Sequence, residues 1–413
     1  MAHDAGRDST LSLTSVESAL DALLRDVMAL DGERIACDDA AGRVLAEDIT
    51  ARLDVPGFDN SAMDGYAFHH ADVGRPLSIS QRIVAGQPAT ALEPETCARI
   101  FTGSEIPPGA DTVIMQEQVS FNDDGSLSIH DPRIVDIGDN IRRQGQDVRA
   151  GDRLLVRGTK LEAAALGQLA GQGITTVTVT RAPRVALLST GDEIVPPGKP
   201  LAPGQIYNSN RPMLKRLLER FGAHITMTAD VPDAFEATCR LLQQAAQDAD
   251  VVVTTGGVSV GEEDHVKQAL ETLGQLDLWR LAMRPGKPLA LGRLPAHTGA
   301  CRFVGLPGNP VSGYVGAWIY LRPLMGALLG CPALSTLPSI PARAAFATQT
   351  QARRHYMRAT LSFTEQGPIA HAAADQNSAV LSSCIQANAL AVIPEHSHIS
   401  EGDEVECLWL LEG

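Results

Sequence analysis

The segment VVVTTGGVSVGEEDH, residues 251–265, sets a run of β-branched residues against a Gly-Gly loop and a cluster of acids. Residues 251–254 read as a buried strand, because Val and Thr fit a pleated surface. Residues 266–273 then return apolar side chains at helical spacing. Working outward, the same succession recurs: strand 185–188, helix 213–221, strand 225–229, helix 235–245, then strand 303–306 and a long helix. In helix 213–221, Met213, Leu214, Leu217, Leu218 and Phe221 form one apolar face, with Ser209 or Asn210 placed to cap it. Such alternation predicts an α/β unit with a parallel sheet covered on both faces.

The flanks read differently. From Val16, the residues Leu20, Leu23, Leu24, Val27 and Met28 continue a helical stripe, and Thr14 with Glu17 has the form of a capping box. Between 53 and 150, Pro56, Gly57, Gly86, Pro88, Pro107, Pro108, Gly109 and Gly138 punctuate short alternating stretches, the pattern of a β insertion. Residues 161–169 turn helical again, consistent with a discontinuous helical domain on either side of the insertion. Short strands around 358–363, 389–393 and 405–411 close the chain as a small β domain, with 337–341 as the linker candidate. The expected division is 1–50 with 150–180, 51–149, 181–331 and 332–413. A length of 413 residues accommodates it.

Lys and Arg total 34 against 49 Asp and Glu, a net charge of −15, with 44% hydrophobic and 20% charged residues. This is a core-forming composition. The acidic balance disfavours nucleic acid or an anionic membrane as partner, since both recruit Lys and Arg, so an anionic ligand must meet a local basic site. Seven cysteines without a CxxC fit a reducing cytosol. The N-terminus lacks the apolar core of a signal peptide. The most apolar run, 314–321, ends at Arg322-Pro323, too short to span a bilayer. A cytoplasmic location is expected.

In an open α/β sheet, ligands bind beyond the carboxyl ends of the strands. Three loops take that position: Ser189-Thr190-Gly191-Asp192-Glu193, the 255–264 loop with Gly256, Gly257, Ser259 and Gly261, and Pro307-Gly308-Asn309-Pro310. Glycines admit close approach of backbone N–H groups to an anion, and hydroxyls and helix N-termini add donors. Each loop alone is equally a tight turn; three together favour phosphate binding. The Walker A pattern is absent, because Leu281 holds the first glycine's place and Pro288 follows Gly286-Lys287; GxGxxG is absent too. Asp192, Glu193, Glu262, Glu263 and Asp264 would repel a phosphate unless a divalent cation intervened, and Mg²⁺ suits one or two carboxylates plus substrate phosphate. Glu262 and Glu263 equally complement a helix dipole. Arg284 and Lys287, in a proline-stiffened stretch, form either a basic hook or two solvated cations. Residues 140–147, NIRRQGQD, and 56–67, PGFDNSAMDGYA, read singly as turns.

Taken in order, PGFDNSAMDGYA, RIFTGSEIPPGADTVIMQE, NIRRQGQD, STGDEI, IYNSNRPML, TTGGVSVGEEDH, RPGKPLALG and LPGNPVSG resemble the blocks of the MoeA family of molybdopterin molybdenumtransferases, related to the gephyrin C-terminal domain. The resemblance implies the four domains above, the α/β one of molybdopterin-binding type. It also implies a homodimer whose active site joins the α/β domain of one subunit to the insertion of the other. The implied reaction loads molybdenum from molybdate onto adenylylated molybdopterin and releases AMP, with Mg²⁺ as cofactor. Implied partners are the molybdopterin adenylyltransferase and molybdoenzyme maturation proteins. Carried over by motif, Asp64, Thr102, Asp147, Glu193, Asp233 and Asp264 are catalytic, Glu193 and Asp264 also holding the metal. Arg142, Arg284, Lys287, Pro307, Pro310 and Ser378 join the loop residues in binding substrate. VPDAF carries one acid, Asp233, where relatives often carry two, and Arg284 stands where lysine is common.

Two alternatives share the fold. An adenylyltransferase would act on ATP, against which the long N-terminal half with PGFDNSAMDGYA argues. A gephyrin-like scaffold would have lost the carboxylates, yet Asp64, Glu193 and Asp264 are present. Asp264→Asn is expected to leave the protein folded and dimeric but unable to release AMP when molybdate is added; normal release in a nucleotide assay would remove Asp264 from the mechanism.

Overall fold

A computed structural model of the chain describes residues 13–257, 265–297 and 299–410. Contacts divide it into two units: residues 48–156 with 164–175, and the remainder.

The larger unit is built on a six-stranded sheet ordered His224–Val231, Arg184–Thr190, Val251–Thr255, Gly299–Leu306, Pro288–Ala296, Gln275–Arg280. The first four strands are mutually parallel. Their alternation explains the layers. Val185, Leu187, Val251, Val253, Val304 and Leu306 pack on one face against Leu214, Leu217, Leu218 and the helical run that begins at Pro310. Ala186, Leu188, Val252 and Phe303 pack on the other against Leu242, Ala245, Val266 and Leu270 of the helices Phe235–Asp248 and His265–Leu273. Both faces are thus covered, as the apolar runs require.

Several expectations are corrected. The sheet gains an antiparallel pair, Gln275–Arg280 and Pro288–Ala296, where only a basic hook was read. The N-terminal helix is Val16–Leu24, capped by Ser15, whose hydroxyl accepts from Ser18 N at 3.1 Å. Thr14 is committed to backbone hydrogen bonds with Arg280 and Ala282, and Glu17 pairs with Arg354, so neither makes a capping box. Met28 lies beyond that helix and is 79% exposed. The helix Asn210–Arg220 is capped neither by Ser209 nor by Asn210: Asn208 Oδ1 accepts from Arg211 N at 3.0 Å. Within the proposed linker, Ser339 to Pro341 already belong to a strand paired with Glu406 to Leu408.

That strand is part of a closed five-stranded barrel: Arg354–Thr364, Gly367–Ala372, Ser339–Ala344, Glu404–Trp409 and Ala389–Ile393, which returns to the first. Ala342, Ala344, Ala359, Ala370, Ala389 and Ala391 fill it, small side chains suited to a narrow interior. The smaller unit is β-rich, with a four-stranded sheet in which Tyr66 and Phe68 face one core and Ala67 another. Among the described residues no helix is long and apolar enough to cross a membrane. Leu187, fully buried between sheet and helices, is expected on truncation by Leu187→Ala to cost about 3 kcal/mol of unfolding free energy, read from urea denaturation.

Candidate functional site

Parallel strands end at one edge, so their following loops meet there. Two adjoining clefts result, both within the larger unit. One, about 760 Å³, is lined by Ser189, Thr190, Gly191, Asp192, Glu193, Asp233, Gly256, Gly257, Gly308, Asn309 and Pro310. The other, about 640 Å³, shares Gly256, Gly257, Gly308 and Asn309 and adds Arg284, Lys287, Pro307 and Ser378. The three predicted loops therefore converge, and the basic hook is one wall of the second cleft. Ser259, Gly261 and Asp264 lie outside the described residues.

The loop backbone is shaped by its glycines. Gly191 has φ +123°, and a Cβ there would come within 2.5 Å of Glu193 Oε2, so glycine lets the carboxylate fold back over the loop. At Gly256, φ is +87° and a Cβ would meet Thr190 Oγ1 at 2.5 Å. Thr190 Oγ1 donates to Thr255 O at 3.1 Å, tying the first two loops together. Asn210 Nδ2 donates to Gly308 O at 2.7 Å, tying the helix start to the third. Buried Ser189 accepts from Asn208 Nδ2 at 2.8 Å. Glu193 forms no ion pair among the described residues, whereas Asp233 Oδ1 lies 3.6 Å from His265 Nε2. Asn210 Oδ1 and His265 Nδ1 in the larger cleft have no hydrogen-bond partner among the described residues, and buried polar atoms of that kind want one.

The C-terminal barrel supplies residues that motif reading missed. Arg353, Asp375, Gln376 and Asn377 line the basic cleft beside Ser378. The adjacent pair Arg353-Arg354 was the available signal, but nothing in its spacing tells which faces the cleft. Ser378 O accepts from Val311 N at 3.1 Å, so this wall is joined to the first turn of the helix after Pro307-Gly308-Asn309. Behind it His355 is buried, its Nε2 without a partner among the described residues. Burial first, then Arg284, Arg358 and Arg353, push its pKa down to about 4.

Asp64, Thr102, Arg142 and Asp147 belong to the smaller unit and line neither cleft. There Asp64 Oδ1 accepts from Thr102 N at 2.8 Å and Thr102 Oγ1 at 2.9 Å, which holds its carboxyl below the usual range. Arg142 is exposed on a short strand paired with Asn60–Ser61. Asp147 lines a shallow hollow with Arg143 and Arg149.

Three family models cover nearly the whole chain: the MoeA N-terminal region, domains I and II, over residues 14–173; a probable molybdopterin binding domain over 186–327; and the MoeA C-terminal region, domain IV, over 341–410. The chain belongs to the MoeA family. Among MoeA relatives, a molybdopterin molybdenumtransferase of Haemophilus influenzae is 39% identical over 379 residues, covering 90% of this chain and 92% of its own. One from Nostoc is 37% identical, covering 90% and 87%. The crystal structure of a molybdopterin biosynthesis MoeA protein from Pyrococcus horikoshii OT3 superposes with a TM-score of 0.82 at 27% identity, covering 96% of this chain and all of that one. Neither the adenylyltransferase nor the scaffold alternative is favoured by these MoeA relatives.

Because unfolded histidine titrates near 6.5, the unfolded chain takes up a proton before folded His355 does. Stability present above pH 6.5 is therefore lost as pH falls toward 4, by about 3 kcal/mol in all. Urea unfolding across that window should show the loss in wild type and a smaller one in His355→Gln.

Proposed function

We propose that the protein is a molybdopterin molybdenumtransferase, taking adenylylated molybdopterin and molybdate and releasing AMP. The observation that carries the reading is the convergence of three strand-end loops, an acidic Glu193 and a basic Arg284–Lys287 wall on two clefts that share Gly256, Gly257, Gly308 and Asn309. Backbone donors of the glycine-bearing loops suit phosphate oxygens. The basic cleft suits a tetrahedral oxyanion, with Arg284, Lys287 and Arg353 against the single carboxylate of Asp375. The net charge of −15 makes such local basicity necessary for anionic substrates.

Mg²⁺ belongs to this proposal. Among the described residues no three His, Cys, Asp or Glu side chains could form a closed metal cage. The donor that is present fits nonetheless: Glu193 is an exposed carboxylate without an ion-pair partner among the described residues, folded over Gly191 in the larger cleft. A hard dication uses one or two such carboxylates and completes its shell with water and phosphate oxygen. Glu193 would hold it with Asp264, and the bound ion would neutralise charge on the phosphates as AMP leaves. Lys287 and Arg284 would orient the anionic groups, and no nucleophilic side chain is required.

The further parts of the proposal are a cytoplasmic homodimer, the four-domain division at 1–50 with 150–180, 51–149, 181–331 and 332–413, and a site to which Asp64, Thr102, Arg142 and Asp147 of the partner contribute. The adenylyltransferase and molybdoenzyme maturation proteins would supply its substrate and take its product. Glu193→Gln should release AMP roughly 10²- to 10³-fold more slowly than wild type while folding normally. Mixing it with Asp64→Asn after subunit exchange should restore part of the activity, because one site of each mixed dimer would be intact. A wild-type rate in Glu193→Gln would sink the metal role, and the absence of recovery on mixing would sink the shared site.

A further inference from the structure

The largest fully buried side chain of the described residues is not apolar: it is Arg358, at 0% exposure. It lies on the strand Arg354–Thr364 between Met357 and Ala359, which face the barrel interior, so alternation turns Arg358 to the outside, under the segment that follows Ala373. Its guanidinium is spent on that segment. Nη2 donates to Asp375 O and Asn377 O, each at 3.1 Å, and Nε donates to Ser383 Oγ at 3.0 Å. Its main chain is tied to the same loop: Arg358 N donates to Gln376 Oε1 at 3.0 Å, and Gln376 Nε2 returns a bond to Arg358 O at 2.9 Å. Arg358 forms no ion pair among the described residues, and its Nη1 has no partner there.

A buried cation paired with two carbonyls and a hydroxyl, and with no carboxylate among the described residues, is an expensive way to pin a loop, and an apolar side chain of similar volume normally serves stability as well or better. The arrangement is explained if loop position and positive charge are both needed. The loop is the wall of the basic cleft, and Arg284, Lys287 and Arg353 stand around the same space. We propose that Arg358 is a positioning residue that fixes the Asp375–Ser378 wall of this cleft and holds a permanent positive charge behind it, so that the cleft accepts a tetrahedral oxyanion. The proposal deepens the oxyanion reading of that cleft and rests on it. The anion is either molybdate or a phosphate group of the nucleotide-bearing substrate. Arg358 does not line the cleft and acts through the loop.

The test titrates the full-length protein by calorimetry with sodium molybdate and, separately, with AMP, and follows amide hydrogen exchange over 373–380. Arg358→Lys keeps the charge but lacks the planar fork. It should weaken the anion that occupies the cleft about tenfold, leave the other anion's affinity unchanged, and speed exchange at Gln376 to Ser378. Ser383→Ala removes one tie outside the cleft and should weaken the same anion about threefold. It also carries the test if the lysine variant does not fold. A purely structural role would lower the melting temperature of these variants without moving the affinity of the folded fraction for one anion alone. Unchanged affinities in both variants, or equal weakening of both anions, would overturn the proposal while leaving the cleft's assignment standing. If wild type bound neither anion, the assignment of the cleft would fall, and the proposal with it.

Discussion

A parallel strand buried on both faces can offer polar groups to a ligand only at its ends, and the place of both clefts in this structure follows from that constraint. Val185, Leu187, Ala186 and Leu188 leave no surface of the strand unused, nor do Val251, Val252 and Val253 in the next. The hydroxyls and glycines these strands can offer a ligand are therefore those at their ends, Ser189 to Gly191 and Thr255 to Gly257, joined by Gly308 after the fourth strand. The sheet brings those three breaks together because its first four strands run the same way. Had the middle strand been reversed, its loop would have opened on the far edge, and no cleft of this composition would exist.

The core of this arrangement was legible in the sequence because it is written in local periodicity. The apolar face Leu214, Leu217 and Leu218 and the β-branched run at Val251 each announce their own element, and a strand followed by Gly-Gly announces its own loop. Decisions made by distant partners were not legible. Thr14 is withdrawn from its capping role by the backbone of Arg280 and Ala282, and Asn208 caps the helix to which Ser209 is formally nearer. The 275–296 hairpin was obscured by Pro285 and Pro288, which read as a stiff loop although the strand begins at Pro288.

The basic cleft marks the sharper limit. Arg284 and Lys287 were singled out because proline and glycine flank them, but Arg353 and the Asp375–Asn377 wall come from a different domain about 70 to 90 residues later. Their relation depends on how the barrel is set beside the helix after Asn309, which no spacing encodes. Metal placement has the same character. A carboxylate such as Glu193 takes its role from what stands opposite it, which its place in the sequence does not state.

Apart from the Gln376 amide, which bonds to the Arg358 main chain, the wall of the basic cleft is gripped through its own main chain. Asp375 O and Asn377 O accept from Arg358, and Ser378 O accepts from Val311 N. Carbonyls are indifferent to which side chains their residues carry. Substitutions that spare the Gln376 amide can accordingly retune what the cleft touches while these main-chain grips persist. Inserting or deleting one residue between Ala373 and Asp375 would shift all three acceptors out of phase with their donors. In a chimera that borrows the terminal barrel from a homologue, loop length rather than loop sequence would decide whether the graft is compatible.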